Sequence, residues 1–367
     1  MKKFVGIILL WFVINLIRAE ELKPPVHLAI VGLGHDAVGD FISRARSRQD
    51  VQLVGIVESN QLLVTRYARL FNLSTNCFFS NLEGLLAETN VQAAAVFTST
   101  FEHRRVVETC AARKIDVLLE KPLAVDMADA LGMAAAAKRS GIQIVVNYET
   151  SWYSSIQNAY TIAHGRHAIG DLREITVTAG DQGPKEAGCS DAFLVWLTDP
   201  VLNGGGALTD FGCYGAGLVT WFMNGQRPDS VFATAQHIKP ETYPKVEDEA
   251  TIVVNYPQSQ ATIQASWNLP FAERSMKIYG NTGYISVPRA NLLRVRLAGT
   301  EESDLELQTQ SESDDDISYF VGIVRGDITP SGPSSLQVNL ITTEILDAAQ
   351  KSIKSGKRID LLKNPPW

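Results

Sequence analysis

Through the first half of the chain, apolar runs of strand length alternate with amphipathic stretches. Past Pro24-Pro25, Val26 to Val31 is largely apolar, meets Gly32-Leu33-Gly34-His35-Asp36-Ala37, and continues as an amphipathic segment to about Arg48. That spacing predicts strand, glycine turn, helix. Further strands are predicted over Val51 to Val57, near Cys77 to Phe79, and over Ala93 to Phe97, Ile115 to Leu119 and Ile142 to Asn147. Helical patterns fall between them, at about Gln61 to Phe71, Asn81 to Glu88, Arg104 to Arg113 and Met127 to Ser140. Strands alternating with helices predict an α/β half with a doubly wound parallel sheet of about six strands.

After Tyr148 the texture changes. A helix to about His167 and a strand, Glu174 to Ala179, precede a Gly-, Pro- and Cys-bearing loop and then Gly204-Gly205-Gly206, which opens an apolar helix through Trp221. Ser230 to Gln236, Ala250 to Tyr256, Ala261 to Trp267, Met276 to Tyr279, Tyr284 to Val287 and Leu292 to Leu297 follow with no helical pattern between them, which predicts a large, mostly antiparallel open sheet. The acidic run Asp314-Asp315-Asp316 reads as a solvated loop rather than a metal site, and Gly332-Pro333-Ser334 starts a last helix, Leu336 to Lys354. The expected division is residues 26–148, residues 149–335, and a C-terminal helix and tail, 336–362, packing back on the core.

Composition adds limits. At 367 residues the chain can bury two cores, and a net charge of −7 without a basic cluster argues against a nucleic-acid surface. Lys2-Lys3, the apolar run Phe4 to Ile17 and Arg18-Ala19 read as a signal peptide over residues 1–19, so the protein is expected to be exported, periplasmic or secreted. The alternative is an uncleaved membrane anchor, although the run is short of the roughly 20 residues of a spanning helix. Cys77, Cys110, Cys189 and Cys213 show no metal-ligand spacing; buried free thiols are expected, and no metal.

The candidate chemistry gathers at strand ends. Gly32 allows a tight turn, Gly34 lets a pyrophosphate approach the backbone beside His35, and the small Ala37 is expected to let helix and strand pack closely. Glu58 ends the second strand about two dozen residues on, where an acid binds a ribose 2′-hydroxyl, so NAD is favoured over NADP despite Arg66 and Arg69 in the next helix. Thr98 and His103 follow the fourth strand. Glu120-Lys121-Pro122 follows the fifth and delivers a cation to the carboxyl edge of the sheet. Asp210 and Tyr214, four apart, share a helix face, and the three glycines before them are expected to let that helix approach a ligand. Tyr148, Trp152, Trp196 and Asp199 are the candidate substrate contacts.

With those motifs in that order, the chain from Val26 to Leu361 resembles the Gfo/Idh/MocA family of oxidoreductases. The resemblance implies an N-terminal Rossmann domain binding NAD(P), and a C-terminal α/β domain carrying substrate residues and often an interface, hence a homo-oligomer, dimer or tetramer. It implies small-molecule substrates, usually sugars, cyclitols or their derivatives. Lys121 matches the family's catalytic Lys and Asp210 its substrate-site Asp. Tyr214 stands where many members have His, as in members similar to glucose-fructose oxidoreductase and dihydrodiol dehydrogenase. Thr98-Ser99-Thr100 replaces the common Thr-Pro-Asn, and the Arg often found after strand six is replaced around Glu149-Thr150.

The expected scheme has Tyr214 take a hydroxyl proton, Lys121 lower the phenol's pKa and hold the substrate oxygen, and Asp210 orient a second hydroxyl. Export, where free NAD is scarce, suits a tightly held and recycled cofactor, so an NAD-dependent glycoside hydrolase stays open. So does a non-catalytic sugar or dinucleotide sensor on the same fold.

Overall fold

The computed structural model describes residues 23–307 and 315–362. The expected leader, residues 1–19, lies outside the described residues, as does Asp314.

The N-terminal half runs β1 (Val26–Val31), α1 (Val38–Ser47), β2 (Val51–Val57), α2 (Gln61–Leu70), β3 (Phe78–Phe79), α3 (Leu82–Glu88), β4 (Ala93–Val96), α4 (His103–Ala111), β5 (Asp116–Glu120), α5 (Met127–Ser140) and β6 (Ile144–Asn147). Its strands form one parallel sheet in the order β3-β2-β1-β4-β5-β6. Their near-continuous apolar runs have a physical cause, since both faces are covered. Leu28 and Ile30 enter one core with Phe41, Ile42 and Phe97, whereas Ala29 and Val31 enter the other with Val106, Leu119 and Met133. Strand order reverses between β1 and β4, which opens a crevice at their carboxyl ends.

The second half adds α6 (Ser154–Tyr160), β7 (Leu172–Gly180), α7 (Asp191–Leu197), α8 (Ala207–Asp210), α9 (Gly212–Phe222), β8 (Ser230–Gln236), β9 (Glu249–Asn255), β10 (Gln260–Ser266), β11 (Glu273–Gly280), β12 (Gly283–Arg289), β13 (Leu292–Leu297), β14 (Ser303–Glu306), α10 (Asp316–Val324), α11 (Leu336–Ser355) and β15 (Ile359–Asp360). Nine strands pair as β14-β13-β12-β11-β7-β10-β9-β8-β15. The sheet is antiparallel except at its centre, where β7 runs parallel to β10. Alternation along β9 turns Ala250, Ile252 and Val254 inward, and α9 packs so close to β10 that a Cβ on Gly215 would lie 2.3 Å from Ile263.

Two expectations fail here for identifiable reasons. The acidic run is not a solvated loop at Asp315 and Asp316. Asp315 caps α10 by accepting from the Ser318 N–H at 2.6 Å, and the buried Asp316 accepts from Arg44 at 2.5 Å and from Asn147 at 3.1 Å. Those pairs seat α10 on the first sheet, where Ile317 and Phe320 join the core of Ile30 and Phe41, so residues 316–324 pack with the N-terminal unit. All four cysteines are free, but only Cys110 and Cys213 are buried.

Candidate active site

The glycine turn explains its own residues. Gly32 has φ +90°, and a Cβ there would lie 2.8 Å from the Thr98 nitrogen and 2.9 Å from the Phe97 carbonyl carbon, so no side chain fits. Gly34 differs: its Cβ would meet Trp196 at 3.6 Å and the Ala192 carbonyl at 3.9 Å, both ordinary contacts. The protein's own packing does not demand that glycine, so the bare backbone faces space that a ligand can use. Ala37 is exposed, and Val38 is the residue buried against the sheet, which corrects the packing role expected for Ala37.

Glu58 directly follows β2 with both oxygens engaged, Oε2 accepting from the Leu33 N–H and Oε1 from the Asn60 N–H, each at 2.8 Å. Its carboxylate is thereby tied to the glycine turn. A cleft of about 580 Å³ follows, lined by Gly32, Gly34, Glu58, Asn60, Thr98 and Trp196 among others. Trp196 is thus on the cofactor side: α7 leans over the turn, its Nε1 donating to the Gly34 carbonyl at 3.2 Å, while Ser190, which caps α7, donates to Asp36. His35 is buried in the turn between Phe193 and Trp196. Its Nδ1 accepts from the Ala37 N–H at 3.1 Å, its Nε2 lies 4.0 Å from Glu120, and burial, reinforced by Lys121, pulls its pKa down to about 3, so the ring is neutral.

The fifth strand then delivers Lys121 to the same edge. Its ammonium is almost wholly buried and donates to the Asp210 carboxylate and, at 3.2 Å, to the Asp210 carbonyl; it also lies 5.2 Å from the Tyr214 ring centroid. Burial opposes that charge, but Asp210, with Tyr214 and Cys213, outweighs it and holds Lys121 above the usual lysine range. The second Asp210 oxygen accepts from Trp267 Nε1 at 3.0 Å. Burial pushes Asp210 up, and Lys121 and Trp267 overcome it, leaving the group below the usual carboxylate range. Each Asp210 oxygen already accepts one hydrogen bond, from Lys121 and from Trp267, so the carboxylate positions Lys121. Glu120, buried beside Asn147, is raised by burial to about 7.

Tyr214 corrects the electrostatic expectation. Lys121 does lower the phenol's pKa, as does Arg274, but burial is the larger influence and Glu149 adds to it, so the group sits above the ordinary tyrosine value and is neutral. Helical continuity fails as well. The chain breaks at Phe211 between α8 and α9, and Asp210 and Tyr214 meet through Lys121.

The three glycines face protein, not ligand. A Cβ on Gly204 would lie 2.8 Å from the Val125 carbonyl and one on Gly206 2.0 Å from the Glu247 carbonyl, while Glu247 accepts from the N–H groups of Gly206 and Leu208. His103 is wholly buried, with Nδ1 3.1 Å from the Leu123 carbonyl; it braces the loop after Lys121 and lines no part of the cleft. Tyr148 is a core residue, donating to Asn339 at 2.8 Å with its ring edge-on to Tyr214. Trp152 donates to Asn147 and packs on Tyr319, lining a separate groove near β6. Asp199 caps a turn and pairs with Lys245. None of these three contacts Lys121.

Two site residues carried no signal in the sequence. Trp267, fully buried just past β10, and Arg274 on β11 reach the site only because the second sheet packs there. The Arg274 guanidinium lies 4.3 Å from the Phe211 centroid and 5.0 Å from that of Tyr214, and pairs with Glu149 at 3.3 Å. A cation therefore stands on that wall although the residue after strand six is acidic. Among the described residues, no group of three or more His, Cys, Asp or Glu side chains is placed to hold a metal.

Comparison with known proteins agrees with this geometry. Residues 26–148 match the oxidoreductase family with an NAD-binding Rossmann fold, and residues 161–286 match the GFO/IDH/MocA C-terminal domain. A trans-1,2-dihydrobenzene-1,2-diol dehydrogenase of Xenopus laevis is 26% identical over 239 residues, 65% of this chain and 68% of that protein. The Mus musculus protein of the same name is 26% identical over 64% of each chain. Among solved structures, the inositol dehydrogenase homolog of Azotobacter vinelandii complexed with NAD+ superposes with a TM-score of 0.80 at 17% identity, over 93% of this chain and 98% of that one. The aldose-aldose oxidoreductase of Caulobacter crescentus gives 0.77 at 20%, over 92% and 100%. With its two halves matching the two domains of one family, this chain belongs to the Gfo/Idh/MocA family of NAD-binding oxidoreductases.

Proposed function

We propose that the protein oxidises or reduces a single carbinol carbon of a sugar-like or vicinal-diol substrate, with Lys121 and Tyr214 handling the proton at its oxygen. The observation that carries this is the convergence of Lys121, Asp210 and Tyr214 at the carboxyl edge of the first sheet, next to the glycine-turn cleft. Gly32, Gly34, Glu58, Thr98 and Trp196 would hold the dinucleotide, which when bound supplies the hydride acceptor or donor. Asp210, clamped by Trp267, fixes the Lys121 ammonium so that it can donate a hydrogen bond to the reacting oxygen. Lys121 and Tyr214 both carry their protons, so the pair is set to protonate a carbonyl oxygen. The reverse direction needs one of them deprotonated first, so oxidation gains on the alkaline side.

The dihydrodiol dehydrogenases and the aldose-aldose oxidoreductase support the substrate class, because each is named for an alcohol of that kind. The N-terminal apolar run supports export, and there a retained cofactor suits paired oxidation and reduction of two sugars.

The test is turnover of a panel of sugars, cyclitols and vicinal diols by the full chain loaded with NAD, with product analysis. Lys121→Ala and Tyr214→Phe are each expected to lose about 100-fold or more in kcat while still binding NAD. Near-normal turnover in both sinks the scheme, and bound NAD that no alcohol ever reduces turns the reading toward a sensor.

A further inference from the structure

The Arg274 guanidinium is a buried cation only partly used by the protein. Nη1 donates to the carbonyls of Gly180, at 2.9 Å, and Glu273, at 2.8 Å. On the opposite edge, Nε is buried without a hydrogen bond, and no described residue accepts one from Nη2. That Nε/Nη2 edge is the fork that matches the two oxygens of a carboxylate.

What stands near it now is Glu149, whose Oε1 lies 3.3 Å from Nε but is not aligned to accept. Glu149 is half-exposed, sits on a short turn, and among the described residues is otherwise held only by the Tyr153 hydroxyl at 3.0 Å. Two further carboxylates act on this cation from a distance without bonding to it: Asp210, which accepts from Lys121 and Trp267, and Asp181, which accepts from the Gly183 N–H at 2.8 Å. Arg274 and Lys121 lie 5.0 and 5.2 Å from the same Tyr214 ring, so a small molecule can touch both.

We infer that Arg274 is a substrate-binding residue that receives a carboxylate, with Glu149 swinging out of the way. The substrate is then an alcohol that also carries an acid, a hydroxy acid or sugar acid, whose hydroxyl meets Lys121 and Tyr214 while its carboxylate takes the fork. The identity of the reacting hydroxyl rests on the function proposed above; the carboxylate site itself does not.

The test uses the full chain loaded with NAD and matched probes, D-glucuronate and D-galacturonate against D-glucose and D-galactose. Two readouts are taken, ligand-induced shift of the unfolding temperature and reduction of the nicotinamide. The uronates are expected to bind the wild type better than the neutral sugars, and Arg274→Met to weaken uronate binding about 10- to 100-fold with little effect on the neutral sugars. Arg274→Lys keeps the charge without the fork and is expected to recover only part. Glu149→Gln, at a half-exposed position where folding is not at risk, is expected to tighten uronate binding several-fold.

Equal binding of acids and neutral sugars by the wild type, or weaker uronate binding in Glu149→Gln, overturns the inference and leaves the oxidoreductase reading intact. Uronate binding that depends on Arg274, with no reduction of the nicotinamide by these probes or by any alcohol of the panel, overturns that reading and keeps the carboxylate site.

Discussion

Replacing Asp210 by Asn changes one atom type and puts the centre of the site at stake. The carboxylate has two acceptors for two donors, the Lys121 ammonium and Trp267 Nε1, and all three side chains are nearly or fully buried. An amide has one acceptor. If its oxygen turns to Trp267, its NH2 group faces the ammonium and leaves a buried cation without a counter-ion, at a cost of about 3–5 kcal/mol. If it turns to Lys121, a fully buried indole N–H loses its partner, about 1–3 kcal/mol, and the ion pair is still gone. Asp210→Asn is therefore expected to lose about 3–5 kcal/mol, read as a fall of roughly 1 M or more in the urea midpoint followed by tryptophan fluorescence.

Removing the stranded charge should recover much of that loss, so Lys121→Met combined with Asp210→Asn is expected to be more stable than Asp210→Asn alone. The pH dependence carries the same signature. In the wild type Asp210 is held low, so its contribution is present above the usual carboxylate range and disappears as pH falls through the depressed value. In the wild type Lys121 is held above the ordinary lysine value, so its contribution is lost as pH rises past that value; in the variant, burial without Asp210 pulls it below, so stability instead rises with pH up to the ordinary lysine value. A loss below about 1 kcal/mol, or a double variant that costs as much as both single changes together, would refute the account.

Gly32→Ala is expected to destabilise the fold by about 1–3 kcal/mol because the strained backbone and the Thr98 nitrogen both oppose a side chain, whereas Gly34→Ala should stay within about 0.5 kcal/mol yet weaken NAD binding; calorimetric titration with NAD beside thermal unfolding separates the two. Glu120 has its pKa raised from 4.5 to about 7 by burial, so the folded chain keeps a proton that the unfolded chain releases, and stability falls as pH rises across that window by on the order of 3 kcal/mol. Glu120→Gln should flatten that slope, and unfolding curves taken at acid and at mildly alkaline pH would show it. Asp316→Ala should loosen α10 on the first sheet by removing the buried acceptor of the Arg44 guanidinium, which keeps only Asp40, and one of the two acceptors of the Asn147 amide, for about 1–3 kcal/mol, and a wild-type urea midpoint in that variant would contradict it.

The parallel half was legible because covering a sheet on both faces forces apolar runs, and the glycine turn was legible because Gly32 answers a steric demand of its own backbone. Asp316 misled because an acidic run looks the same whether it meets water or Arg44, a residue some 270 positions away. The glycine run before Asp210 misled for a related reason. Small residues mark a close approach without saying whether a ligand or Glu247 does the approaching.

Lys121, Asp210 and Tyr214 could be named from one dimension since each sits at an element end with a recognisable neighbourhood. Their division of labour could not. Whether Asp210 faces a substrate or a lysine depends on Trp267, and whether Tyr214 is a phenol or a phenolate depends on how deeply α9 and β11 bury it. Local pattern, set by periodicity and backbone sterics, determined the elements, the fold class and three of the groups that meet at the site. Hydrogen-bond partners and desolvation are properties of what packs from afar, so only the tertiary structure decided which charge is paired, which proton is held, and that Arg274 stands beside them with an edge to spare.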